Sequence, residues 1–325
     1  MIHKIIYLIG QRLRNPSLKT QLNFLKKSEF WSLDELESYQ FKKMKELIEF
    51  AYLYSSYYRD KFTELNCLPS DIKSLSDLNK LPVLTKLDVI TFNKEIQANY
   101  SFKKGYKAIT SGSSGNSLSF FRDEYADSFN RASSLRGYSW YKVAPWEKNG
   151  YFWGFNFSFK KKIKTLFLDL LQNRFRNFSY EKESLKKFSK KSKNASYING
   201  YSSMIYQTAK LINKFNLPKP RKLKMIKGTS EKIFESYQKE IVEAFGLRMI
   251  NEYGATESGI IAFECPNGNM HLNMESVIVE EIDNEILVTN IQMKSFPIIR
   301  YKLGDYIKLA PKDKLMGLLY IGNYK

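Results

Sequence analysis

Short apolar runs alternate with helix-like stretches along the chain after Pro82, and this alternation constrains the fold more than any other feature of the sequence. The runs are bounded by glycine, asparagine or serine; they read YKAIT, YFWGFNF, SYIN, KLKMIK and LRMIN. The helix-like stretches lie around residues 123–141, 181–191, 202–215 and 231–245. Strand and helix repeated in this order predict an α/β fold with a mainly parallel sheet flanked by helices. Such sheets bind ligands at the carboxyl ends of their strands.

The region before Pro82 predicts helices. Ser32 is a candidate N-cap with Glu35 three residues later, which is the spacing of a capping box. An apolar stripe follows at helical spacing, formed by Leu36, Met44, Leu47, Ile48 and Ala51. Residues 57–69 are predicted to hold a helix end and a loop. For residues 1–27 a packed N-terminal helix is the preferred interpretation, and a basic amphipathic segment that touches membranes is the alternative.

Beyond Gly259 the helical pattern fades and strands are predicted instead. The segments VIVEEID and NEILVTN flank Asp283 and Asn284, two residues that tolerate the positive φ of a two-residue hairpin turn. The sequence therefore predicts a strand-rich subdomain at this end of the α/β fold.

The chain carries 52 Lys and Arg against 33 Asp and Glu, a formal charge of +19. This balance attracts polyanions, although scattered lysines on solvated helix faces are the preferred interpretation. Nucleic-acid binding rests only on this charge and on Phe175 and Phe178, which are interleaved with Arg174 and Arg176, and it is not favoured. Two distant cysteines form no disulfide framework, and no apolar run reaches 18 residues, so we expect a cytoplasmic protein.

The first segment with chemical character is TSGSSGNS, residues 110–117, directly after YKAIT, which is predicted to be a buried strand. Two glycines let the backbone turn its N–H groups toward an anion, and hydroxyl groups add further donors for phosphate oxygens. Its spacing is not that of a Walker loop. A plain serine-rich loop is the alternative.

The second segment is NEYGATES, residues 251–258, after the strand LRMI. Tyr253 is suited to stack on a base, Gly254 to allow close approach, and Thr256 with Glu257 to hold Mg²⁺ through oxygen atoms. The third is RYKLGD, in which Asp305 can accept hydrogen bonds from two sugar hydroxyls. Ordinary turns explain either segment taken alone.

The order and spacing of the three segments resemble those of adenylate-forming enzymes. The stretches SSYYRDKFTEL and SDIKSLSDLNKLPVLTKLDV are similar to the N-terminal signature of phenylacetate–CoA ligases and of their relatives in capsule and polysaccharide gene clusters. The match continues through INGYSSMIYQTAKLI, IKGTSEKIFESYQKEIVEAFGLRMINEYGATES and PIIRYKLGDYIKL. The resemblance runs from about Glu35 to the last residue.

The resemblance implies a role for each matching residue. Six would embrace the ATP β and γ phosphates: Thr110, Ser111, Gly112, Ser113, Ser114 and Gly115. The base would contact Glu252, Tyr253 and Gly254 and an adenine site lined by Gly228, Thr229, Ser230 and Glu231. Glu257, helped by Thr256, would bind Mg²⁺, and Asp305 would hold the ribose. The carboxylic acid substrate would lie near Tyr151, Trp153, Phe155, Gly200, Tyr201 and Ser202.

The implied reaction is attack of a substrate carboxylate on the α phosphorus of ATP, with loss of pyrophosphate, usually followed by transfer of the acyl group to coenzyme A. The implied division of the chain is a helical region at 1–75, a nucleotide-binding α/β core at 76–258 and a β-rich subdomain at 259–325. The family's lid domain with its lysine would be absent, and a separately encoded lid would be a partner. Since one charged donor contributes on the order of 2.7–4 kcal/mol, we expect ATP binding with impaired adenylation.

Two alternatives stay open. One is a catalytically degenerate domain that binds nucleotide or acts as a scaffold, which the end of the chain at the family's hinge and the basic N-terminus favour. The other concerns Cys265 and His271, six positions apart, where two ligands are too few for a structural zinc site. The acid and the acyl acceptor cannot be identified from the sequence.

Overall fold

The computed structural model describes residues 1–110, 118–153 and 158–309. Contacts within it divide the chain into two units. The first comprises Met1–Arg14, Leu135–Tyr253 and Phe263–Gly268; the second comprises Asn15–Ser134, Gly254–Ala262 and Asn269–Lys325. The three-part division expected from the resemblance stays a prediction.

Helices fill roughly the first hundred residues, strands and helices alternate over residues 105–255, and strands follow in the rest of the described chain. The α-helices are α1 (Ile2–Arg14), α2 (Leu18–Ser28), α3 (Leu33–Tyr54), α4 (Ser56–Glu64), α5 (Lys86–Thr91), α6 (Asn93–Ile96), α7 (Glu124–Trp140), α8 (Phe159–Leu171), α9 (Lys182–Ser192), α10 (Ser202–Lys214) and α11 (Glu235–Phe245), with short 3₁₀ helices at Pro69–Asp71 and Leu75–Lys80. The strands are β1 (Gly105–Ile109), β2 (Ser119–Asp123), β3 (Asn149–Phe152), β4 (Arg174–Asn177), β5 (Tyr197–Tyr201), β6 (Met225–Thr229), β7 (Met249–Ala255), β8 (Gly259–Glu264), β9 (Met270–Leu272), β10 (Val277–Ile282), β11 (Glu285–Asn290) and β12 (Tyr301–Tyr306).

A parallel sheet forms the centre of the first unit. Its strands lie in the order β4-β3-β5-β6-β7, and each of these neighbouring pairs is parallel. Ile226 packs with side chains of α9, α10 and α11, whereas Met225 packs with Tyr138 and Phe263. Because neighbouring residues of a strand point to opposite faces, two apolar faces are covered by different side chains. The predicted α/β class with a mainly parallel sheet is confirmed.

Antiparallel strands build two further sheets in the second unit. Strands β10, β11 and β12 form one sheet, and Asp283 and Asn284 turn between β10 and β11 with φ of 52° and 64°. The predicted hairpin is therefore confirmed, with both turn residues in the left-handed region. Strands β1 and β2 form a separate antiparallel pair. The interpretation of YKAIT as a buried strand was wrong, because β1 has only this one partner and is half-exposed.

Helix α3 begins as its sequence predicts. The Ser32 N–H donates to Glu35 Oε2 at 2.7 Å, and the Glu35 N–H donates to Ser32 Oγ at 3.3 Å, so the capping box is confirmed. All five residues of its predicted apolar stripe are buried in the core of the second unit or beside it. The loop predicted over 57–69 was wrong in part. Ser55 caps a new helix, α4, whose Tyr58 and Phe62 are buried in that core.

The N-terminal region divides into two different helices. Leu18 and Leu25 of α2 are buried, as a packed helix requires, whereas α1 has no buried residue. The packed interpretation therefore holds for α2 and was wrong for α1. Among the described residues, no helix combines the length and the apolar character needed to cross a membrane.

Candidate functional site

Two predicted groups of residues lie together at the carboxyl ends of β5 and β6. Gly200 pairs with Gly228, and Tyr201 with Thr229, so the predicted substrate and adenine residues are neighbours. Gly200 has a φ of +142°, and a Cβ there would lie 2.4 Å from the Phe152 carbonyl oxygen. Both features require glycine, since no other residue combines this backbone with so close an approach.

The turn after β6 is fastened to the start of α10. Glu231 Oε2 accepts a hydrogen bond from the Ser203 N–H at 2.8 Å, and Ser202 Oγ donates to the Glu231 carbonyl oxygen at 3.3 Å. A carboxylate at this position satisfies an N–H group that the helix itself leaves unpaired. Ser230, with a φ of +63°, makes the turn that allows this contact.

Three predicted substrate residues form a row of stacked rings. The ring centroids of Tyr151 and Trp153 are 6.3 Å apart, and those of Trp153 and Tyr201 are 4.6 Å apart, with interplanar angles of 13° and 9°. Burial raises the pKa of Tyr201. Phe155 lies outside the described residues. The row gives the first unit a flat aromatic surface beside the carboxyl ends of β3 and β5.

Two arginines that were considered for nucleic-acid binding instead pack on this row. The guanidinium carbons of Arg174 and Arg176 lie 4.7 Å and 4.4 Å from the centroid of the Tyr151 ring. Arg176 also makes a bidentate ion pair with the buried Asp169, at 2.6 Å and 2.8 Å. These contacts explain the positions of both guanidinium groups, because arginine favours stacking on an aromatic ring and a two-pronged pair with a carboxylate.

A buried ion pair joins β6 and β7. Lys227 Nζ lies 2.5 Å from Glu252 Oε1 and 5.1 Å from the centroid of the Tyr138 ring. Burial alone would lower the pKa of Lys227, but the carboxylate of Glu252 outweighs it and the pKa is raised. Both residues are less than a tenth exposed. The predicted cofactor residue Glu252 is thus held by a lysine, and its contact with a nucleotide stays a prediction.

The turn after β7 belongs to the second unit and is tightly packed. A Cβ on Gly254 would lie 2.3 Å from the Gly259 carbonyl oxygen and 3.0 Å from Ile260 Cα. Gly259 itself has a φ of +76°. Asn130 Oδ1 accepts a hydrogen bond from the Ile260 N–H at 2.7 Å, which fixes the strand on the far side of the turn.

Side chains from other elements of the second unit bind the same turn. Arg122 donates to the carbonyl oxygen of Thr256, and Asn290 Nδ2 donates to that of Ser258 at 2.8 Å. The Tyr301 hydroxyl is hydrogen-bonded to the carboxylate of Glu257. The turn that carries the predicted magnesium ligands Thr256 and Glu257 is therefore held by hydrogen bonds to two of its carbonyl oxygens and to the Glu257 carboxylate.

Burial governs the ionisation of the groups around this turn. Burial, and then the neighbouring Glu257 carboxylate, raise the pKa of Tyr301, so its hydroxyl keeps its proton. Burial lowers the pKa of Arg122, and Asp127, 3.6 Å from its guanidinium, opposes that change. A neutral tyrosine donor and a charged arginine therefore face the turn.

Asp305 lies on β12 four residues after Tyr301. It is exposed and follows Gly304, whose φ of +87° turns the strand. The pairing register between β11 and β12 shifts at this point, which is typical of a β-bulge. Arg300, at the start of the motif, is buried and pairs with Glu280 at 3.1 Å. The motif thus leaves its aspartate at the surface, and its role toward ribose stays a prediction.

Only one residue of the predicted phosphate loop can be placed. The Thr110 N–H donates to the Leu118 carbonyl oxygen at 2.9 Å, and Thr110 Oγ1 accepts from the Leu118 N–H at 3.0 Å. Thr110 therefore closes the base of the β1–β2 connection. The others lie outside the described residues: Ser111, Gly112, Ser113, Ser114 and Gly115.

The donor chemistry of the Glu257 turn suits Mg²⁺. A carboxylate and a hydroxyl offer hard oxygen atoms, and Mg²⁺ is commonly held by one or two carboxylates together with substrate phosphates. Within residues 1–110, 118–153 and 158–309, no group of three or more His, Cys, Asp or Glu could hold a metal ion. The turn therefore fits a magnesium ion that arrives with a nucleotide, and does not form an all-protein cage.

Sequence reasoning missed the residues that support the site. Arg122 and Asn290 lie far from the turn in sequence and outside the three segments, and Tyr301 lies in RYKLGD, for which no contact with the turn was predicted. The sequence does contain one sign that Lys227 has a partner, because this lysine interrupts an apolar run that is predicted to be a buried strand. A lysine in such a run requires a partner, and the acidic residue of the following strand is the nearest candidate.

Replacing Gly254 with alanine should destabilise the protein by roughly 1–3 kcal/mol. The new Cβ would meet backbone atoms of Gly259 and Ile260, which cannot move aside as a flexible side chain can. Urea unfolding measures the loss. Gly10→Ala is the control, because no atom lies within 4 Å of its Cβ position. Equal stability of Gly254→Ala and the natural protein would contradict the packing of this turn.

Comparison with known proteins places this geometry in context. No family model matches the chain. Protein CapK of Staphylococcus aureus is 23% identical over 298 residues, which cover 85% of this chain and 64% of CapK. The chain thus spans less than two thirds of the length of this curated relative.

Solved structures of 2-hydroxyisobutyryl-CoA ligase are similar to the chain. An open conformation in complex with 2-HIB-AMP and CoA gives a TM-score of 0.70 at 14% identity, over 87% of this chain and 67% of that one. A complex with the same two molecules in the thioesterification state gives 0.72 at 16% identity, over 89% and 67%. At such low identity these scores show a shared fold. The chain is therefore similar in sequence to CapK and shares the fold of these ligase structures.

Proposed function

We propose that the chain activates a carboxylic acid with ATP, forming an acyl-adenylate and pyrophosphate. The observation that carries this proposal is the turn at Thr256 and Glu257, whose backbone carbonyls and carboxylate are held by Arg122, Asn290 and Tyr301. A turn of ordinary structural use needs no buried carboxylate fixed by a tyrosine. The 2-HIB-AMP and CoA bound to the structural relatives support the same chemistry.

In this proposal Glu257 and Thr256 hold Mg²⁺ together with the ATP phosphates. When bound, the ion neutralises charge on the phosphates and on the leaving pyrophosphate. Tyr301 and Arg122 keep the carboxylate and the Thr256 backbone in place, so little reorganisation is needed when the nucleotide arrives. Thr110 and the serine-glycine residues after it bind the β and γ phosphates.

The remaining predicted residues divide between nucleotide and acid. Tyr253 and Gly254 contact the base, with Gly228, Thr229, Ser230 and Glu231 lining its site, while Asp305 holds the ribose. Tyr151, Trp153 and Tyr201 line the acid site together with Gly200 and Ser202. The stacked rings favour an acid with a flat or extended apolar part, because such a surface excludes water and offers dispersion contacts.

The reaction follows from these roles. One oxygen of the acid attacks the α phosphorus, the bond from that phosphorus to the bridging oxygen breaks, and pyrophosphate leaves with both electrons. The protein aligns the two oxygens and stabilises the phosphate charge. The acyl group then passes to a thiol, for which we propose coenzyme A, and the process serves capsule or surface polysaccharide biosynthesis, as the resemblance implies.

Titration calorimetry with MgATP, followed by pyrophosphate release with a panel of acids, tests this function. The panel comprises acetate, hexanoate, benzoate, phenylacetate and 2-hydroxyisobutyrate. We expect MgATP to bind, and at least one acid to raise pyrophosphate release above the rate without acid. Binding of MgATP with no acid-dependent release would favour a nucleotide-binding scaffold instead, and absence of MgATP binding would contradict both functions.

A further inference from the structure

Helix α8 points its apolar residues outward. An apolar stripe at i, i+4, i+7, i+8 and i+11 would normally lie against a core. Here every member is exposed: Phe159, Ile163, Leu166, Phe167 and Leu170. Phe159 is 78% exposed and Leu170 is 68% exposed, while the buried residue of this helix is the charged Asp169. The usual orientation of an amphipathic helix is therefore reversed.

Helix α1 shows the same reversal and contacts α8 within the first unit. Its exposed stripe consists of Ile2, Ile5, Ile9 and Leu13. On its other side Tyr7 lies 5.7 Å from Trp146, and His3 Nδ1 lies 3.1 Å from the carbonyl oxygen of Leu171. The two helices thus form one surface, which is called here the α1–α8 face.

The α1–α8 face concentrates exposed apolar side chains. Of the 28 large apolar residues that are exposed in the described part of the chain, eleven lie on these two helices. Scattered apolar residues are normal on a protein surface, but such a concentration on two helices in contact with each other marks an interaction site. This face therefore requires a partner with an apolar interior.

The charges on the same helices select the kind of partner. Basic residues accompany both apolar stripes, and they are Arg12, Arg14, Lys160, Lys161 and Lys164, whereas Lys4 and Lys162 lie over the rings of Trp146 and Phe178. Helix α1 has no acidic residue, and Asp169, the acidic residue of α8, is 2% exposed and paired with Arg176. A second copy of this face would meet like charge, whereas anionic headgroups would meet complementary charge.

We propose that the α1–α8 face binds the surface of an anionic phospholipid bilayer. The apolar stripes of both helices enter the boundary between headgroups and acyl chains, and their lysines and arginines contact the phosphates. Two parallel contributions, apolar burial and charge, explain why neither helix packs its apolar stripe inward. This attachment is independent of the proposed adenylation.

Flotation of the full chain with lipid vesicles tests this surface. We expect binding to phosphatidylcholine vesicles that contain phosphatidylglycerol, little binding to phosphatidylcholine alone, and weaker binding as salt rises. The double variant Ile9→Glu/Phe167→Glu should lower the fraction bound by about tenfold or more, because it places charge in both apolar stripes. Its thermal midpoint should stay unchanged, since both side chains are more than half exposed.

The matched control is Leu53→Glu/Leu68→Glu, which adds the same charge at two residues that are 58% and 54% exposed elsewhere in the chain. It should retain most of the binding. No binding to anionic vesicles, or equal loss in the two double variants, would overturn the proposal. Sedimentation velocity tests whether a second copy of the chain occupies this face instead. A dimer that Ile9→Glu/Phe167→Glu dissociates, in a protein that does not bind vesicles, would also overturn the proposal.

Discussion

Replacing Glu252 with alanine should lower the free energy of unfolding by about 3–5 kcal/mol. The change leaves the ammonium group of Lys227 buried without its carboxylate, 2.5 Å away in the natural protein. A buried charge that loses its partner must bear the full cost of leaving water. Urea unfolding followed by circular dichroism measures the difference.

Two further variants separate the ion pair from a loss of packing. Lys227→Met/Glu252→Leu removes both charges and keeps apolar volume, so it should recover most of the lost stability. Glu183→Ala removes the carboxylate of an exposed pair with Lys186 and should change the stability little, because solvent screens such pairs. Equal losses in Glu252→Ala and Glu183→Ala would contradict the account of a buried pair.

The double variant also tests the predicted role of Glu252 toward the nucleotide. If the pair is structural, the stable Lys227→Met/Glu252→Leu protein should bind MgATP with nearly the affinity of the natural chain. A loss of affinity in a protein of restored stability would instead support the contact implied by the resemblance. Stability and binding measured on the same variant therefore distinguish the two roles.

Glu257→Gln should reduce acid-dependent pyrophosphate release on the order of 100- to 1,000-fold. Glutamine keeps the shape of the side chain and its hydrogen bond with Tyr301, but it removes the charge that is proposed to hold Mg²⁺. The requirement for Mg²⁺ should shift to higher concentrations. Initial rates over a magnesium series measure both effects.

Tyr301→Phe removes the hydroxyl that positions this carboxylate. It should reduce the rate by about 10- to 100-fold, which is the usual loss when a residue that orients a metal ligand is replaced. Glu64→Gln provides the matched control, because that carboxylate is exposed and its ion pair in the described part of the chain is with Lys61 on the same helix. Rates of Glu257→Gln that equal those of Glu64→Gln would contradict the assignment of the turn.

Local patterns were sufficient where neighbouring residues decide the structure. The capping box at Ser32 and the turn at Asp283 and Asn284 depend on side chains and φ values within a few residues. The α/β class followed from the repeat of strands and helices. These features are confirmed because short-range hydrogen bonds and backbone preferences determine them.

Features that depend on tertiary contacts could not be predicted from the sequence. The strand YKAIT has the composition of a buried strand, yet it joins a two-stranded antiparallel pair, since pairing partners are not written in a single run. Lys227 and Glu252 meet only in the register of β6 and β7. Helix α1 has an ordinary amphipathic pattern, and only the structure shows that its apolar side faces outward.

The motifs of the site could be predicted from the sequence, but the contacts that hold them in the fold could not. Thr256, Glu257 and Asp305 were singled out because their chemistry suits a metal ion and a sugar. The contacts that hold the turn from Thr256 to Ser258 come from Arg122, Asn290 and Tyr301, which lie 134, 32 and 44 positions from their respective partners. Such separations carry no local signal, so supporting residues emerge only from the fold.

Transfer of oxygen-18 from the acid to AMP tests the central claim most directly. The acid with the fastest pyrophosphate release is labelled in its carboxylate and incubated with the chain, MgATP and hydroxylamine as the acyl acceptor. Because the bridging oxygen of an acyl-adenylate comes from the acid and stays with AMP when the carbonyl is attacked, mass spectrometry should find one oxygen-18 in AMP. Label accumulates even when turnover is slow. Unlabelled AMP, or ADP as the product, would contradict carboxylate activation through an adenylate.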